Sequence, residues 1–212
     1  MSLKLAEIFK SIQGESSFVG LPCSFVRLAG CNLRCSYCDT PYAWEPKFEL
    51  TIPQIVEIIR SHKTHVVEIT GGEPLLQNEV YVLMERLLVL NYKVLLETNG
   101  SLDISQVPSE VIKIIDIKCP GSGMSDKMYW DNLNRLNSKD EIKFVLSDRT
   151  DYNWAKKIIK KYSLENRGTV LFGVAYGRLS LRDVAEWILK DNLNVRLNLQ
   201  LHKYIWGNIS GK

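Results

Sequence analysis

The sequence predicts an α/β fold, a partial and open (β/α) barrel of about six parallel strands. Three observations lead to this fold class. Apolar strand-like runs alternate with helical patterns along the chain. The helical segments are long enough for right-handed crossovers, which place successive strands parallel in one sheet. The 212 residues fall short of the roughly 250 that a complete eight-fold barrel typically needs.

Each element follows from its local pattern. Short apolar runs predict strands at residues 25–28, 66–69, 94–96, 112–117, 142–146, 170–174 and 195–199. Apolar residues at helical spacing predict helices at about residues 53–61, 77–90, 127–136, 152–162 and 181–189. Thr51 before Pro53, and Ser180 with Asp183 three residues later, are helix start signals. Gly121 and Gly123 indicate a loop between elements.

Composition and charge exclude several classes of function. With 45% hydrophobic and 24% charged residues, the chain is typical of one folded domain spanning residues 1–212. A net charge of +3 without a dense basic block does not favour nucleic acid. No run is long and apolar enough to span a membrane, and residues 1–15 lack the apolar core of a signal peptide. We therefore expect a cytosolic protein.

Three of the five cysteines are clustered as Cys31-x-x-x-Cys35-x-x-Cys38, directly after a predicted strand and Gly30. This distribution does not fit a disulfide scaffold and favours a reducing compartment. Three thiolates can converge on one metal centre. On a 4Fe-4S cluster they would leave one iron open for an exogenous ligand, which predicts a catalytic role.

A zinc site is the structural alternative for these cysteines. Structural zinc needs four ligands, and neither Cys23 nor Cys119 has a paired spacing that would supply the fourth. Both cysteines are interpreted as small buried hydrophobic residues. A non-catalytic metal-binding or interaction module therefore remains as an alternative of a different class.

Further polar residues follow the next predicted strands. The sequence Thr70-Gly71-Gly72-Glu73-Pro74 comes after the second strand, and its glycines allow a ligand to approach the backbone closely. Backbone carbonyl groups in such a turn can accept hydrogen bonds from an ammonium group. Glu97 and Asn99 close the third strand, and residues 116–118 close the fourth. We expect all of them at the carboxyl ends of the strands, where barrels of this kind carry their chemistry.

The cysteine spacing, with Tyr37 before the last cysteine, and the glycine-rich turn resemble the radical S-adenosylmethionine superfamily. The resemblance implies a 4Fe-4S cluster on Cys31, Cys35 and Cys38, whose reduction cleaves S-adenosylmethionine to a radical. It also implies S-adenosylmethionine contacts from Gly71, Gly72, Glu73, Glu97, Asn99, Asp116, Ile117 and Lys118.

A second resemblance covers nearly the whole chain. The motifs are Glu7-Ile-Phe-Lys-Ser11-Ile12-Gln13-Gly14-Glu15, Arg27, Cys38-Asp39-Thr40, Tyr42, Trp44, and Gln200-Leu-His202-Lys203 with Trp206, Gly207 and Asn208. They are similar to the 7-carboxy-7-deazaguanine synthase family. The resemblance implies a radical lyase that converts 6-carboxy-5,6,7,8-tetrahydropterin to 7-carboxy-7-deazaguanine with loss of ammonia, in queuosine and 7-deazapurine biosynthesis. It further implies a homodimer and an electron donor such as flavodoxin or ferredoxin.

The same resemblance assigns substrate contacts and a metal. The substrate contacts are Ile12, Gln13, Gly14, Glu15, Arg27 and Thr70, and Thr40 would bind Mg²⁺. The planar fork of an arginine suits the substrate carboxylate, and Mg²⁺ prefers oxygen ligands shared with substrate and water. Ser16 and Ser17 stand where many relatives carry glycine, so the shape of this loop is open. A glycyl-radical activating enzyme shares the cysteine spacing but is not expected to carry residues 11–15 and Arg27.

Overall fold

A computed structural model describes residues 1–207, 209 and 211, and Asn208 of the C-terminal motif lies outside them. The described residues form one nine-stranded sheet with five α-helices. The strands are β1 Ser2–Ile12, β2 Pro22–Leu28, β3 Phe48–Thr51, β4 Val66–Gly71, β5 Lys93–Thr98, β6 Ile112–Ile117, β7 Glu141–Leu146, β8 Thr169–Val174 and β9 Arg196–Leu197. The helices are α1 Ile52–His62, α2 Glu79–Val89, α3 Arg149–Tyr162, α4 Leu181–Asp191 and α5 Leu201–Trp206.

The sheet has the order β3-β1-β2-β4-β5-β6-β7-β8-β9. From β2 through β9 all neighbouring strands are parallel, whereas β1 pairs antiparallel with both β2 and β3. The edge strands β3 and β9 do not pair with each other in this order, so the barrel is open. The predicted fold class is confirmed: β9 is only two residues long, and six longer parallel strands carry the sheet.

The predicted helix at residues 127–136 is wrong. The chain forms two short 3-10 turns there, Ser125–Lys127 and Trp130–Arg135. Asn132 explains the difference, because its amide donates to the carbonyl oxygens of Gly100 and Leu102 and accepts from the N–H of Ile104. The segment is thus tied to the loop after β5 by side-chain hydrogen bonds, and helical spacing alone did not show this.

Both predicted helix starts are confirmed. Before α1, the side chain of Gln54 accepts hydrogen bonds from the backbone N–H and the hydroxyl of Thr51, at 2.9 and 2.8 Å. Before α4, the Ser180 hydroxyl accepts from the N–H of Arg182. These contacts satisfy groups that a helix end leaves unpaired. None of the helices within the described residues is long and apolar enough to cross a membrane.

The two faces of the sheet differ. One face packs against the helices and forms the main hydrophobic core. The inner face divides along the strands into two layers. The lower layer is a separate apolar cluster made of Cys23, Phe25, Val66, Leu95, Ile112 and Ile114. The upper layer follows on the same strands and on β7, and consists of Arg27, Glu68, Thr70, Glu97, Asp116 and Lys143. Side chains two residues apart share a face of a strand, so both layers have the same orientation.

Candidate active site

All residues of the upper layer except Glu68 line a cavity of about 650 Å³ at the carboxyl ends of the strands. Thirteen of the eighteen predicted site residues line this cavity: Cys31, Cys35, Cys38, Thr40, Gly71, Gly72, Glu97, Asn99, Asp116, Lys118, Glu15, Arg27 and Thr70. The other five, Ile12, Gln13, Gly14, Glu73 and Ile117, are not among its lining residues. The structure therefore brings together the cysteines and most of both predicted binding sets.

The cysteine loop is held from several sides. The N–H and hydroxyl of Ser36 donate to the carbonyl oxygens of Ser122 and Gly121, at 3.0 and 2.7 Å. The Tyr37 hydroxyl donates to the carbonyl of Val145, and the Arg178 guanidinium donates to that of Ser36 at 2.6 Å. Strand β7 and the segments that follow β6 and β8 thus fix one short loop.

The three thiols fit an iron-sulfur cluster by their chemistry. None is in a disulfide, and all three are partly exposed to the same cavity. Burial raises the pKa of Cys35, and the charge of Lys118 opposes this rise. In the described residues, no three His, Cys, Asp or Glu side chains are close enough to hold one metal ion. Thiolates of a 4Fe-4S cluster bind separate irons and do not need a common atom.

The glycine turn after β4 contacts the cysteine loop directly. A Cβ atom on Gly72 would lie 2.2 Å from the carbonyl oxygen of Gly30 and 2.8 Å from the Cβ of Cys31, so only glycine fits. Glu73 is fully buried, and its carboxylate accepts from the Thr98 hydroxyl and from the N–H of Asn99 at 2.7 Å. Glu73 therefore joins the turn to the end of β5. Its contact with S-adenosylmethionine stays a prediction.

Asp116 and Lys118 form an ion pair at the end of β6. The Lys118 ammonium donates to Oδ2 of Asp116 at 2.7 Å. Burial would lower the pKa of Lys118, but the charges of Asp116 and Cys35 outweigh it and raise that pKa. Oδ1 of Asp116 is buried and has no hydrogen-bond partner among the described residues. A hydroxyl or N–H group of a bound molecule would satisfy this oxygen.

Lys143 lies at the centre of the upper layer, and sequence reasoning missed it. Its ammonium contacts Oε2 of Glu15 at 2.8 Å, donates to Oε1 of Glu97, and is 4.0 Å from Oδ2 of Asp116. Burial would raise the pKa of Glu15, but the charge and hydrogen bond of Lys143 outweigh it and lower the pKa to about 2. The only sequence signal was a lysine inside the apolar run at residues 142–146.

Arg27 points into the cavity from β2. Its Nε donates to Oε1 of Glu7 at 2.7 Å, and the Tyr42 hydroxyl donates to the same oxygen at 2.8 Å. Across the described residues, no hydrogen bond is seen from its two terminal nitrogens. Glu7 thus fixes the guanidinium by one edge, and the other edge remains for an anion.

The predicted substrate loop contacts Glu68 of the upper layer and the helix α5. The Gln13 amide donates to the buried Glu68 carboxylate, while its oxygen accepts from the N–H of Glu15 at 3.0 Å. Burial, followed by the charge of Glu97, raises the pKa of Glu68 well above its ordinary value. A Cβ on Gly14 would lie 2.0 Å from Nδ1 of His202, so the loop packs against α5.

Serine is accommodated in this loop despite its unusual geometry. Ser16 has a φ of 64°, in the left-handed region that favours glycine. Its N–H donates to the Asn198 side chain at 2.9 Å, and Ser17 donates from both its N–H and its hydroxyl to Glu141. These contacts keep the loop ordered without glycine.

The C-terminal motif supplies residues to which no role was assigned from sequence. Gln200, His202 and Lys203 of the motif line the cavity, together with Asn198 just before it. The Gln200 amide donates to Oε1 of Glu15 at 2.9 Å, and Lys203 pairs with Asp39 at 2.9 Å. They lie far from the cysteines in sequence, and only the fold brings them to the site.

This fold, with three cysteines at the carboxyl ends of its strands, defines a radical S-adenosylmethionine protein, and residues 26–119 match the radical SAM superfamily. The chain is 43% identical to the 7-carboxy-7-deazaguanine synthase of Koribacter versatilis, with 96% of this chain and 97% of that protein covered. It is 46% identical to the enzyme of the same name from Chlorobaculum tepidum, over 96% of this chain and 94% of that protein. The chain belongs to the 7-carboxy-7-deazaguanine synthase family.

Comparison with solved structures finds the same fold in QueE and in SuiB. The crystal structure of QueE from Escherichia coli superimposes with a TM-score of 0.79 at 22% identity and covers 95% of both chains. The S-adenosylmethionine complex of SuiB from Streptococcus suis gives a TM-score of 0.58 at 16% identity, over 79% of this chain and 47% of that one. The predicted family, enzyme class and radical SAM cofactors, a 4Fe-4S cluster and S-adenosylmethionine, are confirmed. The roles of individual residues remain predictions.

Proposed function

We propose that this protein converts 6-carboxy-5,6,7,8-tetrahydropterin to 7-carboxy-7-deazaguanine with release of ammonia. One observation carries the proposal: a single cavity holds the three-cysteine loop, the Gly71-Gly72 turn, Glu15 and Arg27. Similarity to synthases over almost the whole chain supports it and favours this activity over a glycyl-radical activating enzyme.

In this proposal, Cys31, Cys35 and Cys38 hold the cluster and the turn after β4 binds S-adenosylmethionine. When bound, these two groups supply the radical that removes a hydrogen atom from the substrate. The chain's own residues orient the reactants. Carbonyl groups of the glycine turn accept from the methionine ammonium, and Oδ1 of Asp116, which has no partner within the described residues, accepts from a hydroxyl group. The Asn99 amide is 4.0 Å from the sulfur of Cys31 and would contact the ligands held at this end of the cavity.

On the substrate side, the two terminal nitrogens of Arg27 bind the pterin carboxylate end-on, while Glu7 holds the guanidinium in place. Glu15, whose pKa is lowered to about 2, is ionised and accepts N–H groups of the pterin. Gln13 fixes the backbone of Glu15 from below. These residues position the substrate carbon that bears the carboxylate toward the cluster side of the cavity.

Magnesium, the electron donor, the assembly and the location belong to the same proposal. The Thr40 hydroxyl lines the cavity 3.9 Å from the sulfur of Cys38, and it suits Mg²⁺ as one oxygen ligand beside substrate oxygens and water. A flavodoxin or ferredoxin would supply electrons to a cytosolic homodimer. Chelation with EDTA is expected to reduce turnover, and added Mg²⁺ to restore it in the wild type more than in Thr40→Val.

The test is anaerobic reconstitution with iron and sulfide, followed by reduction and incubation with S-adenosylmethionine, Mg²⁺ and 6-carboxytetrahydropterin. Mass spectrometry should detect 7-carboxy-7-deazaguanine and ammonia. Cys35→Ala should lose the product and the cluster absorbance. Cys23→Ala is the matched control, because Cys23 is a buried cysteine of the lower layer. Cleavage of S-adenosylmethionine by the wild type with the pterin left unchanged would contradict the substrate assignment and keep the superfamily chemistry.

A further inference from the structure

We propose that Lys143 is a positioning residue that couples the substrate side of the cavity to the S-adenosylmethionine side. The inference rests on the proposed function, because it takes Glu15 as a substrate contact and Glu97 and Asp116 as S-adenosylmethionine contacts. It adds a residue outside both sets and a linkage between two binding events.

The position of Lys143 carries the first step. The residue lies in the middle of β7, only 6% of it is exposed, and it is in register with Asp116 on β6. Its ammonium contacts Glu15 at 2.8 Å, Glu97, and Asp116 at 4.0 Å. These carboxylates come from the loop after β1, from β5 and from β6. One cation therefore contacts residues of both predicted binding sets.

Charge balance carries the second step. Three carboxylates around one buried point repel one another, and burial disfavours the ionised form of each. The Lys143 ammonium offsets the repulsion and the cost of burial for all three carboxylates. A change in the hydrogen bonding of one carboxylate therefore alters how strongly Lys143 interacts with the other two. The interaction is strong in a site screened from water.

The outer contacts of each carboxylate extend the linkage to the ligands. Oε2 of Glu97 accepts from the Thr70 hydroxyl at 3.2 Å, and Oδ2 of Asp116 accepts from Lys118. Glu15 accepts from Gln200 at 2.9 Å on the opposite side. A pterin N–H that binds Glu15 competes with Lys143 for that carboxylate and so changes the Lys143 charge that acts on Glu97 and Asp116. By reciprocity, S-adenosylmethionine bound at Glu97 and Asp116 changes the affinity for the pterin by the same factor.

Lys113 is a matched control. It is a buried lysine on β6, 3% exposed, and it pairs with the buried Asp140 at 3.0 Å. It does not line the cavity. Replacing either lysine by methionine leaves buried carboxylate behind, so both variants lose stability for the same reason. Only Lys143→Met is expected to change the effect of S-adenosylmethionine on the affinity for the pterin.

The experiment is anaerobic calorimetry on the reconstituted holoenzyme, which measures the affinity for 6-carboxytetrahydropterin with and without S-adenosylmethionine. In the wild type and in Lys113→Met, S-adenosylmethionine should change the affinity for the pterin by about 5-fold or more, the usual range of such coupling. In Lys143→Met the factor should fall toward one.

A wild type without linkage, or a Lys143→Met enzyme that keeps the full factor, would overturn the inference. If Lys143→Met does not fold, Lys143→Gln replaces it, since glutamine removes the charge but keeps hydrogen-bond donors for the carboxylates. A reduced factor in Lys143→Gln supports the inference, and an unchanged factor overturns it. A wild type that does not bind the pterin at all overturns the proposed function, whereas turnover without linkage overturns only the role of Lys143.

Discussion

The lower and upper layers of the inner face lie on the same strands but have opposite chemistry. On β2, Phe25 of the lower layer stacks on Phe9 with ring centroids 4.9 Å apart. Two residues further, Arg27 of the upper layer pairs with Glu7 at 2.7 Å. Apolar burial stabilises a fold directly, whereas partly buried ion pairs give little net stability but fix the position of charges. The comparison indicates that the lower layer holds the strands together and the upper layer prepares a binding site.

The largest effect is expected from Phe25→Ala in the lower layer. Removal of the ring should lower the free energy of unfolding by about 3–5 kcal/mol, because the site loses apolar contacts and leaves a cavity. Urea unfolding measures the loss. The kcat/KM per folded molecule should stay within about 2-fold of the wild type, since a change below 0.4 kcal/mol is expected at the site. If kcat/KM per folded molecule fell by a free energy comparable to the loss of stability, the lower layer would also serve the site, and the proposed division between the layers would be wrong.

Arg27→Met in the upper layer should show the reverse pattern. Loss of a charge-assisted hydrogen bond to the substrate carboxylate costs about 1.5–3 kcal/mol, which corresponds to roughly 10- to 150-fold in kcat/KM. Steady-state assays of the reconstituted enzyme check this. Arg27→Lys keeps the charge but not the planar fork, so it should recover only part of the activity. Equal activity of the lysine variant and the wild type would argue against end-on binding of the carboxylate.

On β4, Glu68 lies between Val66 of the lower layer and Thr70 of the upper layer. Glu68→Gln tests whether its carboxyl group is charged in the folded protein. The pKa of Glu68 is raised by burial and then by Glu97, with Glu15 acting in the same direction and Lys143 and Arg27 opposing. An acid with a raised pKa in the folded state lowers stability above its unfolded value near 4.5, because the folded form retains a proton that the unfolded chain releases. Glutamine resembles the protonated acid and still accepts from Gln13.

The variant should therefore be more stable than the wild type at neutral pH, and this gain should disappear as the pH falls below about 4.5, the unfolded value. Urea unfolding between pH 4 and pH 8 measures it. A gain that does not depend on pH would mean that packing, and not protonation, separates the two proteins. A loss at neutral pH would show that Glu68 is ionised in the folded state.

The contrast between the layers also explains what could be predicted from sequence. Parallel strands of the lower layer and core appear as continuous apolar runs, so β4, β5, β6, β7 and β8 were found near their observed bounds. β1 was missed because it carries Lys4, Glu7 and Lys10. Its Glu7 faces the cavity, so β1 carries a polar residue there because it contributes to the site and not to the core. The short strand β3 and the helix α5 were also missed, since neither has a long periodic pattern.

The site residues also divide into those that local motifs predict and those that only the fold brings to the site. Those next to local motifs, such as the cysteines, Gly72 and Thr40, were placed at the cavity from sequence, and the structure agrees. Lys143, Glu68 and His202 act through partners on other elements of the fold, as the contact between Gln13 and Glu68 and the packing of His202 on Gly14 illustrate. Pattern reasoning along the chain has no access to such contacts, because they depend on strand order and register.

The smallest effect is expected from Ser11→Ala, and it compares two unpartnered polar atoms. The Ser11 hydroxyl and Oδ1 of Asp116 are both buried without a hydrogen-bond partner among the described residues. Ser11 is in register with Cys23 of the lower layer, whereas Asp116 lines the cavity. An unsatisfied buried hydroxyl costs stability and has no ligand to meet there, so alanine should leave the free energy of unfolding unchanged or raise it by up to about 1 kcal/mol. Asp116→Ala should instead weaken the binding of S-adenosylmethionine. Urea unfolding and calorimetry on both variants measure these effects, and a loss of S-adenosylmethionine affinity in Ser11→Ala would show that the lower layer is not isolated from the site.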